Sequence, residues 1–419
     1  MVRKLCYICF EYFENGMKKF LDNIGPSVVL TAAFIGPGTI TVCTLAGVNF
    51  GFSLLWALLI AIFTCIILQG MTTRLGIVTQ RGLSDVIKDQ LKSPYVKWPV
   101  IVLIFSAIVI GNAAYEAGNI SGASLGLQGI FPSLVSDSFN KGALLIGIIA
   151  FVLLYFGNNK LLERTLIALV VIMSISFIIA MVITGPNLID VLKGLLVPNL
   201  TSDNILTVVA LLGTTVVPYN IFLHTSLVSE KWKDTTSLSW ARKELIVAVL
   251  VGGVVSMSIL ICAASSGLTK VNAVTDLAEG LAPLFSSFAS LVVNIGLIAA
   301  GITSAITAPL AAAYVAKGCF GWEKAQTSYK FRLVWMFILL TGIFCSSLKI
   351  NPIEIIKFAQ ITNGIVLPLV AILLLWLVNN KSLLGSYRNN ALQNILGVLI
   401  VGLTVVLGVK SILKVIEVL

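Results

Sequence analysis

Charge is what this sequence has least of: 11% of its 419 residues are Asp, Glu, Lys or Arg, against about 25% in a soluble domain. That shortage excludes a water-soluble globular protein. Histidine occurs once, at His224, which excludes any site built on several imidazole ligands. The seven cysteines (Cys6, Cys9, Cys43, Cys65, Cys262, Cys319 and Cys345) sit mostly inside apolar runs and form no disulfide framework. Cys6 and Cys9 are spaced as CxxC, but no second pair completes a metal site. The opening stretch, MVRKLCYICFEYFENGMKKF, lacks the long apolar core of a signal peptide and reads as an amphipathic, cytoplasmic lead-in over 1–23.

What the chain has instead is hydrophobic length. Fifty-eight per cent of its residues are hydrophobic, and a spanning helix needs about 20 of them in succession. The sequence offers eleven candidate spans, near 25–48, 52–73, 98–128, 142–157, 161–184, 206–228, 245–268, 286–316, 333–348, 356–378 and 392–415. The loops between them are short, so the expectation is a single all-α membrane domain in contact with the lipid bilayer. The formal net charge is +10, from 28 Lys and Arg against 18 Asp and Glu. With the N-terminus inside, 21 of those 28 basic residues fall on the cytoplasmic side, and Lys141, Lys193, Lys270, Lys349, Lys357, Lys410 and Lys414 fall outside. Membrane proteins show that asymmetry, and an odd span count puts the C-terminus outside. Topology accounts for the basic balance without a nucleic-acid partner, and nothing in the sequence calls for an obligate protein partner. The expected location is the cell membrane, as a multi-pass protein.

Two spans are interrupted near their middles. The first contains Ile35-Gly36-Pro37-Gly38-Thr39 and the sixth contains Val216-Val217-Pro218-Tyr219-Asn220. Proline removes a backbone donor and glycine permits unusual dihedrals, so both spans should unwind there. In hydrocarbon, unwound backbone survives only when buried in protein or lining a wet cavity. A single proline in a membrane helix ordinarily makes a kink. Paired interruptions five spans apart point to the substrate site of an inverted-repeat transporter.

These residues carry a family resemblance. GPSVVLTAAFIGPGT and LAGVNFGFSLLW resemble the first helix and its exit in the NRAMP family of secondary metal transporters, and GTTVVPYNIFLHTSL resembles the body of its sixth helix. ILQG at 67–70, the run from Arg74 to Thr79, LVPNL at 196–200, LAPLFSS, AAGITSAIT and FAQITNGIVLPLV extend the likeness from about residue 24 to 385. The resemblance implies a LeuT-like fold of two inverted five-helix repeats, here 24–184 and 206–378, with an additional helix over 392–415. It also marks departures. Where the family's metal-moving members carry Asp-Pro-Gly-Asn, this chain has Gly36, Pro37, Gly38 and Thr39. Where they carry Met-Pro-His it has Val217, Pro218 and Tyr219. The family's paired acids of the third helix align with Glu116 and Asn119, while His224 and Gln360 are retained.

A divalent cation wants a carboxylate among its oxygen ligands, and softer ligands select transition metals. Thr39, Thr214, Thr215, Tyr219, Asn220 and Gln360 offer neutral oxygens only. The second halves of two broken helices, by contrast, present free N–H groups and positive dipole ends that suit an anion. The sequence therefore favours a small anion, bicarbonate first and a small carboxylate second, bound at Gly36, Pro37, Gly38, Thr39, Thr214, Thr215, Val217, Tyr219, Asn220 and Gln360. A largely hydrated magnesium or manganese ion at a rebuilt site is the alternative. Coupling to a proton is open to Glu116, with Asn119 beside it, and to His224, because mid-membrane acids default to function and histidine titrates near neutrality. Thr303 and Ser304 resemble the Thr-Ser pair that helps hold sodium in LeuT-like transporters, although such residues also serve ordinary helix packing. No resident cofactor is expected. A membrane enzyme would need a nucleophile with a base or a ligand cluster, and none is visible.

Overall fold

The structure is a computed structural model that describes residues 25–132, 140–157, 159–268, 287–322, 328–347 and 352–418. The described residues are helical and contain no strand. The first expected span is two helices, α1 (Pro26–Phe34) and α2 (Pro37–Phe50). Gly51, at a φ of 59°, stops α2. Then α3 (Leu55–Thr79) ends at Gln80 in the left-handed region, whose side-chain amide donates to the carbonyls of Ile77 and Trp232. After a short α4 (Leu83–Gln90) come α5 (Pro94–Ile130), α6 (Lys141–Phe156) and α7 (Asn159–Thr184).

A further short helix, α8 (Leu188–Leu196), starts where the Asn187 side chain accepts the Ile189 N–H. Its Leu188, Ile189, Leu192 and Leu196 are exposed, the disposition of a helix lying in a membrane interface. The sequence reading passed over it because nine residues cannot span. The sixth expected span is again two helices, α9 (Ile205–Thr215) and α10 (Pro218–Lys231). The chain continues through α11 (Leu238–Ser265), α12 (Ser287–Phe320), α13 (Tyr329–Ser346), α14 (Pro352–Val378), α15 (Lys381–Leu384) and α16 (Ala391–Val418).

Every one of the eleven expected spans coincides with a helix or a broken pair. By length and composition alone, however, the described residues hold eight helices able to cross a membrane, or nine with one bent pair. The difference has two sources. One qualifying run, Pro37–Thr79, is 43 residues long, roughly 65 Å at 1.5 Å per residue and twice the hydrocarbon thickness. At the other extreme α6 has only 16 residues. The N-terminal lead-in lies outside the described residues.

Lipid is as apolar as leucine, so helices in a membrane associate through close packing rather than through exclusion of water. The longest seam, α5 against α12, is built that way: a methyl on Gly301 would overlap Ala123, and one on Gly126 would stand 2.9 Å from the Asn294 carbonyl. A methyl on Gly122 would likewise overlap Pro37. Small residues thus bring α5 against the start of α2, and with it the polar side chains one and two turns earlier on α5.

Candidate functional site

The site forms where the breaks in α1/α2 and α9/α10 meet α5 and α12. At the first break Ile35 and Gly36 leave helical geometry, and at the second Val216 and Val217 do so. Prolines 37 and 218 each open the second half-helix, a position where the missing N–H costs nothing and the fixed φ suits the first turn. Gly36 is there because nothing larger fits: a methyl on it would overlap Ser304 Oγ, stand 3.0 Å from Ser304 Cβ and lie 3.6 Å from Asn119 Oδ1.

Six of the expected residues lie at the two breaks or on the helices facing them. Thr39 donates its hydroxyl proton to the Phe34 carbonyl, and Tyr219 donates to the Ala33 carbonyl at 3.3 Å. Both acceptors belong to the last turn of α1, whose carbonyls have no intrahelical partner. On α5, Asn119 donates its amide to Glu116 Oε2 at 3.1 Å, leaving Glu116 Oε1 without a hydrogen bond. Glu116 is completely buried and backs onto Gly342 of α13. Ser304 Oγ and both amide atoms of Asn220, equally buried, also lack partners. Orphaned buried polar atoms are rare and costly, and four of them, Glu116 Oε1, Ser304 Oγ and the two amide atoms of Asn220, lie at the second break and on the helices facing the two breaks.

Other expected residues turn elsewhere. Thr214 and Thr215 both donate to the Leu211 carbonyl of their own helix. Thr303 donates to Ala300 at 2.8 Å, so the Thr303–Ser304 pair diverges and only Ser304 faces the break. Val217 is buried and accepts from the Asn220 N–H at 3.0 Å. Gln360 falls within α14, but its side chain lies outside the described residues. His224 sits about a turn and a half along α10 from the break in a network of its own. Its Nδ1 meets Gln69 Oε1 at 2.9 Å and Thr72 Oγ at 3.2 Å, and its Nε2 meets Ser27 Oγ at 3.4 Å. Carboxamide oxygen only accepts, so Nδ1 carries the proton. The imidazole ties α10 to α1 and α3.

Sequence reasoning missed three groups. Tyr115 packs edge-on against Tyr219 with centroids 5.6 Å apart. Gln69 and Thr72 hold His224. Glu244, near the start of α11, accepts the Gly25 and Ser27 N–H groups at 2.7 and 3.1 Å, compensating the N-terminus of α1. Next to it Glu163 pairs with Lys231 at 2.8 Å against Gly25. A lone acid just ahead of a long apolar run, as Glu244 is before the run from residue 245, was the available signal.

This geometry argues against the anion. The hydroxyl protons of Thr39 and Tyr219 are committed to α1, so both oxygens offer lone pairs. Prolines at the head of α2 and α10 subtract an N–H from each, the Asn220 N–H is already taken, and a carboxyl group stands beside the site.

Comparison with known proteins bears on the same point. The family model described as natural resistance-associated macrophage protein-like matches residues 27–414. The divalent metal cation transporter MntH of Aeromonas hydrophila is 28% identical over 403 residues, covering 93% of this chain and 95% of the relative. The divalent metal cation transporter MntH of Yersinia enterocolitica is 28% identical over 409 residues, covering 94% and 95%. Among solved structures, an Eremococcus coleocola manganese transporter superposes with a TM-score of 0.77 at 19% identity, over 95% of this chain and 87% of that one. MhsT in complex with L-phenylalanine gives 0.66 at 15% identity, over 94% and 98%, so the LeuT-like fold holds. The relatives are named for divalent metal cations, and that overturns the expectation of bicarbonate or a small carboxylate as substrate and partner, and the anion symport drawn from it. The matched family is one of membrane transporters rather than enzymes, and over nearly all of its length this chain belongs to it: it is a multi-pass member of the Nramp family.

Proposed function

We propose that this protein carries a divalent metal cation, magnesium or manganese in largely hydrated form, through the site between the two helix breaks. The observation that carries the reading is the direction of two hydrogen bonds. Thr39 and Tyr219 give their protons to α1 and turn lone pairs outward beside the buried carboxyl group of Glu116. Oxygen lone pairs with one compensating carboxylate suit a hard cation. Among the described residues no group of three or more His, Cys, Asp or Glu side chains could hold a metal ion, which fits a cargo that keeps much of its water. Magnesium dehydrates reluctantly and is ordinarily held by one or two carboxylates plus water. In this reading Gly36, Thr39, Tyr219, Asn220 and Ser304 line the path, and Glu116 supplies the charge with Asn119 orienting it. The relatives' names support the substrate class. The excess of basic residues assigned to one side supports a cytoplasmic N-terminus in the cell membrane.

The test is flux into sealed proteoliposomes containing a metal-sensitive dye, with magnesium and manganese offered separately and an authentic Nramp manganese transporter in parallel. Saturable entry of either ion is the expected result. Entry of neither, with the control active, refutes the proposal.

A further inference from the structure

A second site lies away from the breaks, where α3, α11 and α16 enclose a cavity of about 210 Å³. Its polar end holds Arg74, Arg242 and Gln393, and its apolar walls include Ile67, Met71, Ile246 and Leu396. The sequence order of these residues fixes the layout. Arg74 lies late in α3, whereas Arg242 and Gln393 lie at the beginnings of α11 and α16, so the three share one end. Ile67, Ile246 and Leu396 lie one to two turns deeper along their helices. Gly70 keeps the groove open, since a methyl there would meet empty space.

The charge at the mouth is uncompensated. Arg74 is only 3% exposed, yet its guanidinium meets neutral acceptors alone: Nη1 donates to Gln393 Oε1 at 2.8 Å, Nη2 to Asn389 Oδ1, and Nε to nothing. Among the described residues neither Arg74 nor Arg242 forms an ion pair, and Glu244, two residues beyond Arg242, is occupied by the N-terminus of α1. A buried guanidinium without a counter-charge is costly, and two converging on one cavity call for an anion. Outside the mouth, Ile246, Leu392 and Ile395 expose apolar surface, which in a multi-pass membrane protein faces lipid.

We propose that this groove binds an anionic phospholipid, its phosphate between Arg74 and Arg242 and one acyl chain lying along Ile67, Met71, Ile246 and Leu396. Basic pockets between spanning helices recognise such headgroups. Free phosphate would engage only the arginine end and leave the apolar groove empty. In a zwitterionic lipid the headgroup ammonium competes with the guanidinium for the phosphate.

The experiment uses the purified, delipidated full chain in detergent. Thermal melting and native mass spectrometry are followed with phosphatidylglycerol, with phosphatidylcholine of the same acyl chains, and with glycerol 3-phosphate. Phosphatidylglycerol is expected to raise the melting temperature and to remain bound, the other two to do neither. Arg242 is exposed, so Arg242→Ala should fold normally and weaken phosphatidylglycerol binding about fivefold. Gly70→Leu leaves both arginines in place and fills the groove, and should displace the lipid while the apo protein melts as before. Equal stabilisation by glycerol 3-phosphate would make this a phosphate site and overturn the lipid. Equal stabilisation by phosphatidylcholine, or unchanged phosphatidylglycerol binding in both variants, would overturn the site.

Discussion

Gly36 occupies the position at which metal-moving relatives of this fold carry an acid, so Gly36→Asp is the natural attempt to restore one. The geometry says that this change alone fails. A β-carbon on residue 36 would lie 3.0 Å from Ser304 Cβ and would overlap Ser304 Oγ, whereas unstrained carbon pairs rest about 3.5–4.0 Å apart. The break and α12 must therefore separate by roughly 0.5–1 Å, and overpacking of this kind costs about 1–3 kcal/mol. Ser304→Gly vacates the space. The single variant should melt below the parent and bind manganese no better. The double variant Gly36→Asp/Ser304→Gly should recover most of the stability and bind manganese at least tenfold more tightly, on the order of 1.4 kcal/mol, because an added carboxylate supplies the charge the site lacks. Isothermal titration with manganese, alongside melting curves of all four members of the cycle, decides the matter. If Gly36→Asp alone is as stable as the parent and gains the full affinity, Ser304 does not fill the place of the missing side chain and the account of the first break is wrong.

Four other outcomes follow from the same contacts. Glu116→Gln keeps the shape and the Asn119 contact but removes the charge, so metal uptake should fall at least tenfold with little change in melting; unchanged uptake would separate the acid from the cargo. Tyr219→Phe frees the Ala33 carbonyl and deletes one ligand oxygen, costing about 1 kcal/mol of stability and a larger fraction of uptake, read by dye quenching in proteoliposomes. His224→Ala removes the imidazole that ties α10 to α1 and α3 and leaves a cavity in the buried core, at a cost of about 2–5 kcal/mol, so it should lower the melting temperature more than Glu116→Gln does. A double-mutant cycle on Glu163 and Lys231, whose side chains are about a quarter exposed, should give a coupling of no more than about 1 kcal/mol.

What was legible in the sequence was whatever proline and glycine decide locally. Gly36-Pro37-Gly38 and Val217-Pro218 break their helices because ring geometry and a missing N–H act within one turn, whatever the rest of the chain does. The polarity of the site was not legible for the opposite reason. Thr39 and Tyr219 can each donate or accept, and the choice depends on whether a carbonyl of α1 comes within reach after folding. Read as donors to substrate they suggested an anion; as donors to α1 they suit a cation. Ser304 and Thr303 are adjacent and chemically alike, yet one bonds back to its own helix while the other faces Gly36, a distinction set by helix rotation. Glu244 was overlooked because its partners, the first amides of α1, are more than two hundred residues away in the chain.

The cap on α1 has a consequence for motion. This half-helix is nine residues long, a rod of roughly 13 Å. Most of its side chains are buried, and polar contacts fasten it as well: the hydroxyls of Thr39 and Tyr219 at one end, Glu244 and the Ser27–His224 contact at the other. Swinging such a lever would repack one short helix against α7, α10, α11 and α12 and would break its polar contacts with α10 and α11, while leaving the long helices intact. The Glu244 carboxylate on the first amides of this short helix is then part of what resists that swing.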